Sequence, residues 1–114
     1  MRLIYANKMS IAKRKAFAYR RNERIDHMNI PINYEWSQKE IVIVAEFFDL
    51  IAEVQERGVQ AGELSHAYKA FKSVVPSKAE EKQLFKEVDD QLNISCYKIV
   101  KQAQSAPNNE LIKK

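Results

Sequence analysis

The sequence is short of the residues that turns, disulfides and membrane spans require. Two glycines in 114 residues argue against an all-β fold, because its many turns need glycine. The single cysteine, Cys96, excludes an internal disulfide framework and is compatible with a reducing cytosol. No apolar run approaches the roughly 20 residues of a membrane-spanning helix, and no signal peptide is recognisable. We therefore expect one small cytoplasmic domain.

Positive charge is concentrated at the start of the chain. The net charge is +4, but residues 1–27 hold eight Lys or Arg and two acids, whereas residues 28–114 hold eleven and thirteen. This basic tail also contains aromatic residues, so it suits nucleic acid or an anionic membrane surface. It has no cap or turn signal, however. We favour the interpretation that residues 1–27 are disordered or a start-site extension before Met28.

A long apolar helix is predicted between Ser37 and Gly58. Ser37 and Glu40 have the spacing of a capping box, and Gly58 suits a left-handed helix end. At about 100° per residue, the apolar side chains fall on two adjoining stripes. These are Ile41, Val44, Ala45, Phe48, Ile51 and Ala52, and, beside them, Ile43, Phe47, Leu50 and Val54. A helix that is apolar over more than half its circumference needs several packing partners, so we place it at the centre.

Three shorter helices are predicted after the central one. Their apolar periodicity covers residues 63–75, residues 78–92 and residues 96–104. Residues 28–34 form an extended lead-in, because a proline at position 31 disfavours helix before it. The helical domain therefore spans residues 28–105, and residues 106–114 are expected to be a flexible tail.

The ends of these helices are marked by local signals. Pro76 stops the second helix, and Ser77 with Glu80 has the spacing of a second capping box. Asn93 is a plausible left-handed terminator of the third helix, and Ser95 is placed to cap the fourth. The second and third helices should therefore meet at a tight corner.

The residue types that carry chemistry are present but poorly placed for it. Glu46, Asp49 and Glu53 share one face of the central helix, which we interpret as a solvated face because no histidine accompanies them. His66 points away from the apolar stripe of its helix, and Cys96 lies on an apolar stripe, as an inert buried thiol does. No glycine-rich loop could cradle a phosphate. We therefore expect no catalytic residue, no metal and no cofactor.

The corner between the second and third helices resembles the turn of a helix-turn-helix motif, which would make the third helix the one that reads nucleic acid. Lys78, Lys82 and Lys86 lie along one strip of that helix. The same helix also carries five acids, which favour a mixed solvated face over a phosphate-binding one. They are Glu80, Glu81, Glu87, Asp89 and Asp90.

Two stretches resemble a known family. They are AYKAFKSVVPSKAEEKQLFKEV, residues 67–88, and INYEWSQKEIV, residues 32–42; the VPSKAEEK run is the most specific part. Over residues 28–103 the chain resembles the UPF0223 family of small uncharacterised proteins from low-GC Gram-positive bacteria. The resemblance implies an all-helical fold and a cytosolic bacterial protein, and it implies no activity, cofactor or catalytic residue. Residues 1–27 depart from the pattern of the family.

The sequence thus predicts an all-α, four-helix bundle-like domain with an extended N-terminal lead-in. Abundant apolar surface and the lack of polar constellations favour a non-enzymatic protein-interaction or regulatory module. The alternative is a nucleic-acid-binding protein that uses the basic tail or the corner between the second and third helices.

One apolar stripe of the central helix is the predicted interface, either with a second copy or with another protein. It consists of Ile43, Phe47, Leu50 and Val54, and the three shorter helices each offer only one apolar stripe to cover so wide a helix. The alternative is that the lead-in, with Ile30, Ile32 and Tyr34, closes over this stripe and completes the monomer.

Overall fold

The structure is a computed structural model that describes residues 3–7 and 29–113. Within those residues it contains four helices and four short strands. The helices are α1 (Gln38–Glu56), α2 (Ala61–Val74), α3 (Lys78–Leu92) and α4 (Cys96–Ser105), and the strands are β1 (Leu3–Asn7), β2 (Asn29–Asn33), β3 (Val59–Gln60) and β4 (Leu111–Ile112). The expected small, mostly α-helical domain with an extended lead-in is confirmed.

Helix α1 begins and ends where its local signals predict. The Ser37 Oγ accepts a hydrogen bond from the Glu40 N–H at 3.1 Å, and the Glu40 carboxylate accepts one from the Ser37 N–H at 2.8 Å. At the other end, Gly58 has a φ of 85° and donates its N–H to the Glu53 carbonyl at 2.8 Å. Glycine adopts this left-handed conformation without the steric cost that a side chain would add.

The core forms around α1, as its two apolar stripes predict. The Phe47 ring lies 4.7 Å from the Phe71 ring of α2, 6.0 Å from the Phe85 ring of α3 and 5.1 Å from the neighbouring Phe48 ring, measured between centroids. Aromatic rings at these separations add favourable packing to the burial of their apolar area. Helix α1 therefore contacts both of the longer helices that follow it.

The C-terminal segment differs from the flexible tail that we expected for residues 106–114. Strand β4 pairs antiparallel with β3, and Ile112 is 1% exposed and part of the core. Pro107 does end α4, but the chain then returns across the molecule, because burying Ile112 removes an isoleucine side chain from water. The two-residue strand β3 occupies part of the connection between α1 and α2.

The same segment caps α2. The Ala61 N–H donates to the Glu110 carbonyl at 2.8 Å, and the Gly62 N–H donates to the Asn108 carbonyl at 2.9 Å. These bonds satisfy amides that the first turn of a helix leaves without an intrahelical acceptor. Because the partners come from the far end of the chain, α2 begins at Ala61, earlier than the sequence predicted.

The lead-in is strand β2, and it lies on the helices. Ile30 and Ile32 are buried as expected, whereas Tyr34, just after the strand, is 44% exposed. The Asn29 backbone exchanges two hydrogen bonds with the Gln91 side chain of α3, at 2.9 and 2.6 Å. Strand β1 pairs antiparallel with β2 over five residues. Part of the expected disordered or start-site segment, Leu3–Asn7, is thus a strand. The rest of residues 1–27 lies outside the described residues, and the exclusion of that segment from the native protein stays a prediction.

Candidate functional site

The structure divides the predicted interface stripe between the core and the surface. Phe47 and Val54 are fully buried, so in this structure they contact only their own chain. Ile43 and Leu50 are partly exposed on the outer side of α1. The stripe is therefore not one continuous surface, because Phe47 and Val54 belong to the hydrophobic core.

The interpretation of Asp49 as a solvated acid is wrong. Glu46 is exposed and Glu53 is partly exposed, but Asp49 is only 3% exposed. Burial, with a smaller contribution from the Glu53 charge, raises the pKa of the Asp49 carboxyl to about 8. A buried carboxylate loses the water that hydrates its charge, so burial favours the neutral, protonated form.

His66 and Cys96 have the environments that the sequence predicted. His66 is exposed, and Cys96 is fully buried. Burial, followed by the neighbouring Asp89 carboxylate, raises the pKa of the Cys96 thiol far above its ordinary value, which keeps it in the unreactive protonated form. Across residues 3–7 and 29–113, no group of three or more His, Cys, Asp or Glu side chains is arranged to hold a metal ion.

The corner between α2 and α3 is tight, as predicted, but its capping box is only half formed. The Ser77 Oγ accepts a hydrogen bond from the Glu80 N–H at 3.3 Å. The Glu80 carboxylate does not return to Ser77; it accepts a bond from the Asn33 side-chain amide of β2 at 3.3 Å. A tertiary partner has replaced the local one, which connects the start of α3 to the lead-in.

A groove of about 820 Å³ opens beside this corner, between α3 and α4. Buried Phe85 and Val100 line it, Tyr68 of α2 contributes to one wall, and Tyr97 is 60% exposed. Its other lining residues are polar: Lys78, Glu81, Lys82, Lys86, Asp89, Asp90, Lys101 and Gln104. We call this site the α3–α4 groove. It combines an apolar floor with a rim of exposed lysines.

One acid of the α3–α4 groove is held by a network behind the groove. Glu81 is 9% exposed, and its carboxylate accepts a hydrogen bond from the Tyr68 hydroxyl at 2.7 Å and pairs with the Lys72 Nζ at 2.8 Å. Burial, and then the bond to Glu81, raise the pKa of the Tyr68 phenol. The phenol therefore stays protonated and continues to donate, and the charge of Glu81 is directed toward α2.

The other two acids of the groove also have partners. The Asp89 Oδ1 accepts a hydrogen bond from the Cys96 N–H at 2.7 Å, where the positive end of the α4 dipole favours a carboxylate. Asp90 pairs with Lys86 of the preceding turn at 3.2 Å. These local interactions offset the negative charge that α3 brings to the groove.

Three lysines of the groove have no such partner. In the part of the chain that the structure describes, no carboxylate lies within ion-pair distance of Lys78, Lys82 or Lys101. The Lys101 Nζ instead lies 5.6 Å from the centroid of the Tyr97 ring, a cation–π distance. The groove therefore presents positive charge around an apolar floor.

Sequence reasoning located the lysine strip of this site and missed its exposed aromatic residue. The four-residue spacing of its lysines indicated the strip on α3. The acids of the same helix led us to predict a mixed solvated face there. The exposed Tyr97 was missed, although it stands outside the apolar stripe of α4, which ran through Cys96, Ile99, Val100 and Ala103. A large aromatic residue outside the apolar face of a short helix was the available signal.

None of the helices in residues 3–7 and 29–113 is long and apolar enough to cross a membrane.

Comparisons with known proteins agree on one family. The uncharacterised protein family UPF0223 matches residues 27–112. A UPF0223 protein of Staphylococcus haemolyticus is 44% identical over 77 residues, which cover 68% of this chain and 86% of that protein. A UPF0223 protein of Bacillus cytotoxicus is 34% identical over 83 residues, 73% of this chain and 93% of that protein. The matched region includes all four helices.

Proposed function

The chain belongs to the uncharacterised protein family UPF0223, and we propose that it is a non-enzymatic interaction or regulatory module of the bacterial cytoplasm. In this proposal it binds another protein through the α3–α4 groove. The observation that carries the proposal is Tyr97, a large aromatic side chain that is 60% exposed beside a groove with an apolar floor. Tyrosine is enriched at the centres of protein interfaces, where it supplies apolar area and a polar hydroxyl.

The shape of the groove supports a binding role. Phe85 and Val100 are almost fully buried, yet both reach the floor, where a partner side chain could lie against them. The rim lysines have long apolar stems that can pack against a partner while their ammonium groups remain hydrated. A concave apolar surface with a polar rim has the organisation of a protein-binding site.

The side chains around the groove support binding more than catalysis. The Glu81 carboxylate is engaged by Tyr68 and Lys72, and the Asp89 carboxylate by the start of α4. The thiol of Cys96 is buried and protonated. A nucleophile paired with a base, which covalent catalysis requires, is not found among the described residues that line the groove.

Nucleic-acid binding is the second candidate, and the lysine strip favours it. Lys78, Lys82 and Lys86 follow one another at intervals of one helical turn, and Tyr97 could stack on a base. Asp89 and the other groove acids weigh against this candidate, because phosphates would approach them closely. The basic tail, its other proposed site, lies mostly outside the described residues.

The test of the protein-binding proposal uses two exposed tyrosines. Immobilised wild-type chain, Tyr97→Ala and Tyr34→Ala would each be used to capture proteins from the cytosol of a bacterium that encodes the family. Tyr34 is 44% exposed and does not line the groove. We expect at least one protein to be retained by the wild type and by Tyr34→Ala, and to be lost with Tyr97→Ala.

Two results would overturn the proposal. One is an identical set of captured proteins for the three chains, which would mean that binding does not depend on Tyr97 of the groove. The other is the retention of nucleic acid alone, in a manner that weakens steeply with salt and depends on the groove lysines. Circular dichroism of each variant checks that the loss of binding does not reflect loss of the fold.

A further inference from the structure

The chemistry of the groove points to one kind of occupant, and this inference rests on the proposed function. We infer that the α3–α4 groove binds an acidic segment of a partner protein, in which carboxylates flank one or two large apolar side chains. The carboxylates would contact Lys78, Lys82 and Lys101, and the apolar side chains would lie on the floor beside Tyr97.

Charge complementarity is the first argument. The groove has four lysines and three acids, but each acid already has a favourable contact within the chain. Glu81 is paired with Lys72, and Asp90 is paired with Lys86. Among the described residues, Lys78, Lys82 and Lys101 have no carboxylate partner, and they lie on both sides of the floor, on α3 and on α4. A partner carboxylate placed there would be attracted by these lysine ammonium groups without first displacing a carboxylate of the same chain.

The position of Glu81 is the second argument. A carboxylate on the groove wall would repel an acidic ligand if it were free to turn outward. The Tyr68 hydroxyl and the Lys72 ammonium hold it at 2.7 and 2.8 Å, and only 9% of the residue is exposed. The two partners of Glu81 therefore reduce the repulsion that an incoming carboxylate would meet.

A peptide suits the groove better than a nucleic acid does. Asp90 lies among the lysines, and a continuous phosphate backbone could not avoid it. A volume of about 820 Å³ is within the range of sites that enclose a small ligand, and it can take one or two side chains of a peptide.

The experiment measures the binding of three labelled dodecapeptides and one labelled thymidine dodecanucleotide by fluorescence anisotropy. Each peptide has a central Phe-Leu pair, flanked by glutamates in the first, glutamines in the second and lysines in the third. The proteins are the full-length wild type, the double variant Lys78→Ala with Lys82→Ala, and the charge-matched control Lys69→Ala with Lys98→Ala. The control lysines are exposed on α2 and α4 and do not line the groove.

We expect the glutamate peptide to bind the wild type about tenfold more tightly than the glutamine peptide does, a size that a few exposed ion pairs supply together. The double groove variant should lose most of this preference, and the matched control should keep it. Raising NaCl from about 50 mM to about 200 mM should reduce the preference, because exposed charges are screened.

Three results would overturn the inference. The first is equal affinity of the glutamine and glutamate peptides for the wild type. The second is equal binding of the glutamate peptide by the groove variant and the control. The third is tighter binding of the oligonucleotide than of every peptide. A groove that binds an uncharged segment would give the first result together with Tyr97-dependent capture of a protein. That combination refutes the acidic occupant and leaves the proposed function standing, whereas capture that does not depend on Tyr97 refutes the proposed function itself.

Discussion

The outer strip of α1 and the α3–α4 groove both expose apolar side chains, and they differ in shape and charge. The outer strip consists of Ile43, Glu46, Leu50 and Glu53, on one side of a single helix, where the charged neighbours are acids. The groove is concave, is built by three helices and has lysines at its rim. A concave site can bury a partner side chain on several sides, which a ridge cannot do. Apolar area alone therefore does not distinguish the two surfaces, whereas their shape and charge do.

The largest expected effect separates core aromatic residues from groove aromatic residues. Phe47→Ala should reduce the free energy of unfolding by about 3 to 5 kcal/mol, because it leaves a cavity among Phe48, Phe71 and Phe85. Tyr97→Ala should change it by less than about 0.5 kcal/mol, as exposed substitutions usually do. Urea denaturation followed by circular dichroism measures both. A comparable loss for Tyr97→Ala would show that Tyr97 is a structural residue.

The next effect concerns the buried acid of α1. Because the pKa of Asp49 is raised from 3.8 to about 8 in the folded protein, the folded state keeps a proton that the unfolded state releases above pH 3.8. This contribution to stability is therefore full below pH 3.8 and decreases as the pH rises toward 8. Between pH 3.8 and pH 8 the wild type should lose about 2 kcal/mol of stability that Asp49→Asn does not lose, because asparagine cannot ionise. Local relaxation of the protein and entry of water keep this loss below the value for a rigid, dry site.

The control for this pH dependence is Glu46→Gln, which alters an exposed acid on the same helix. Denaturation curves at pH 5 and pH 8 should show a smaller decrease in stability for Asp49→Asn than for the wild type and for Glu46→Gln. Equal decreases in all three proteins would mean that the Asp49 carboxyl ionises normally in the folded state.

A smaller effect is expected at the corner beside the groove. Ser77→Ala removes the acceptor for the Glu80 N–H and should cost about 1 kcal/mol, because a helix amide then lacks its cap. Ser73→Ala is the matched control, since its hydroxyl donates only to the Ala70 carbonyl within an exposed part of α2. Thermal unfolding compares the two. If the two substitutions cost the same, the cap at Ser77 does not stabilise α3.

An effect of similar size is expected on the outer strip itself. Leu50→Lys should keep the helical content and lose about 1 kcal/mol, because a lysine at a half-buried position can extend its ammonium group into water. Protein capture should match the wild type, and sedimentation should give the same oligomeric state. If the wild type is a dimer and Leu50→Lys is a folded monomer, the interface lies on α1 and the groove is not required for it.

Features that depend on neighbours in the sequence were predictable. The caps at Ser37, Ser77 and Ser95 and the left-handed ends at Gly58 and Asn93 all occur where they were predicted. Each is formed by groups within about five residues of one another, so the local sequence contains both partners. The width of the apolar surface of α1 likewise followed from periodicity, and it correctly placed that helix at the centre.

Features that depend on distant partners required the tertiary structure. The amide of Ala61 is capped by Glu110, and the second half of the predicted capping box was lost to Asn33. The direction in which the members of the α1 stripe turn was decided by the helices that pack on it, which placed Phe47 in the core.

The sequence by itself determined the four helices, most of their ends and the family, because hydrophobic periodicity and capping act over one or two turns. Only the tertiary structure decided that Tyr68, Lys82 and Tyr97, from three different helices, line one groove, and that the acid Glu81 is held at its wall by α2. Helix crossings result from side-chain packing between distant segments. The charge of a surface also depends on which ion pairs form, so counting acids and bases along one helix could not predict it.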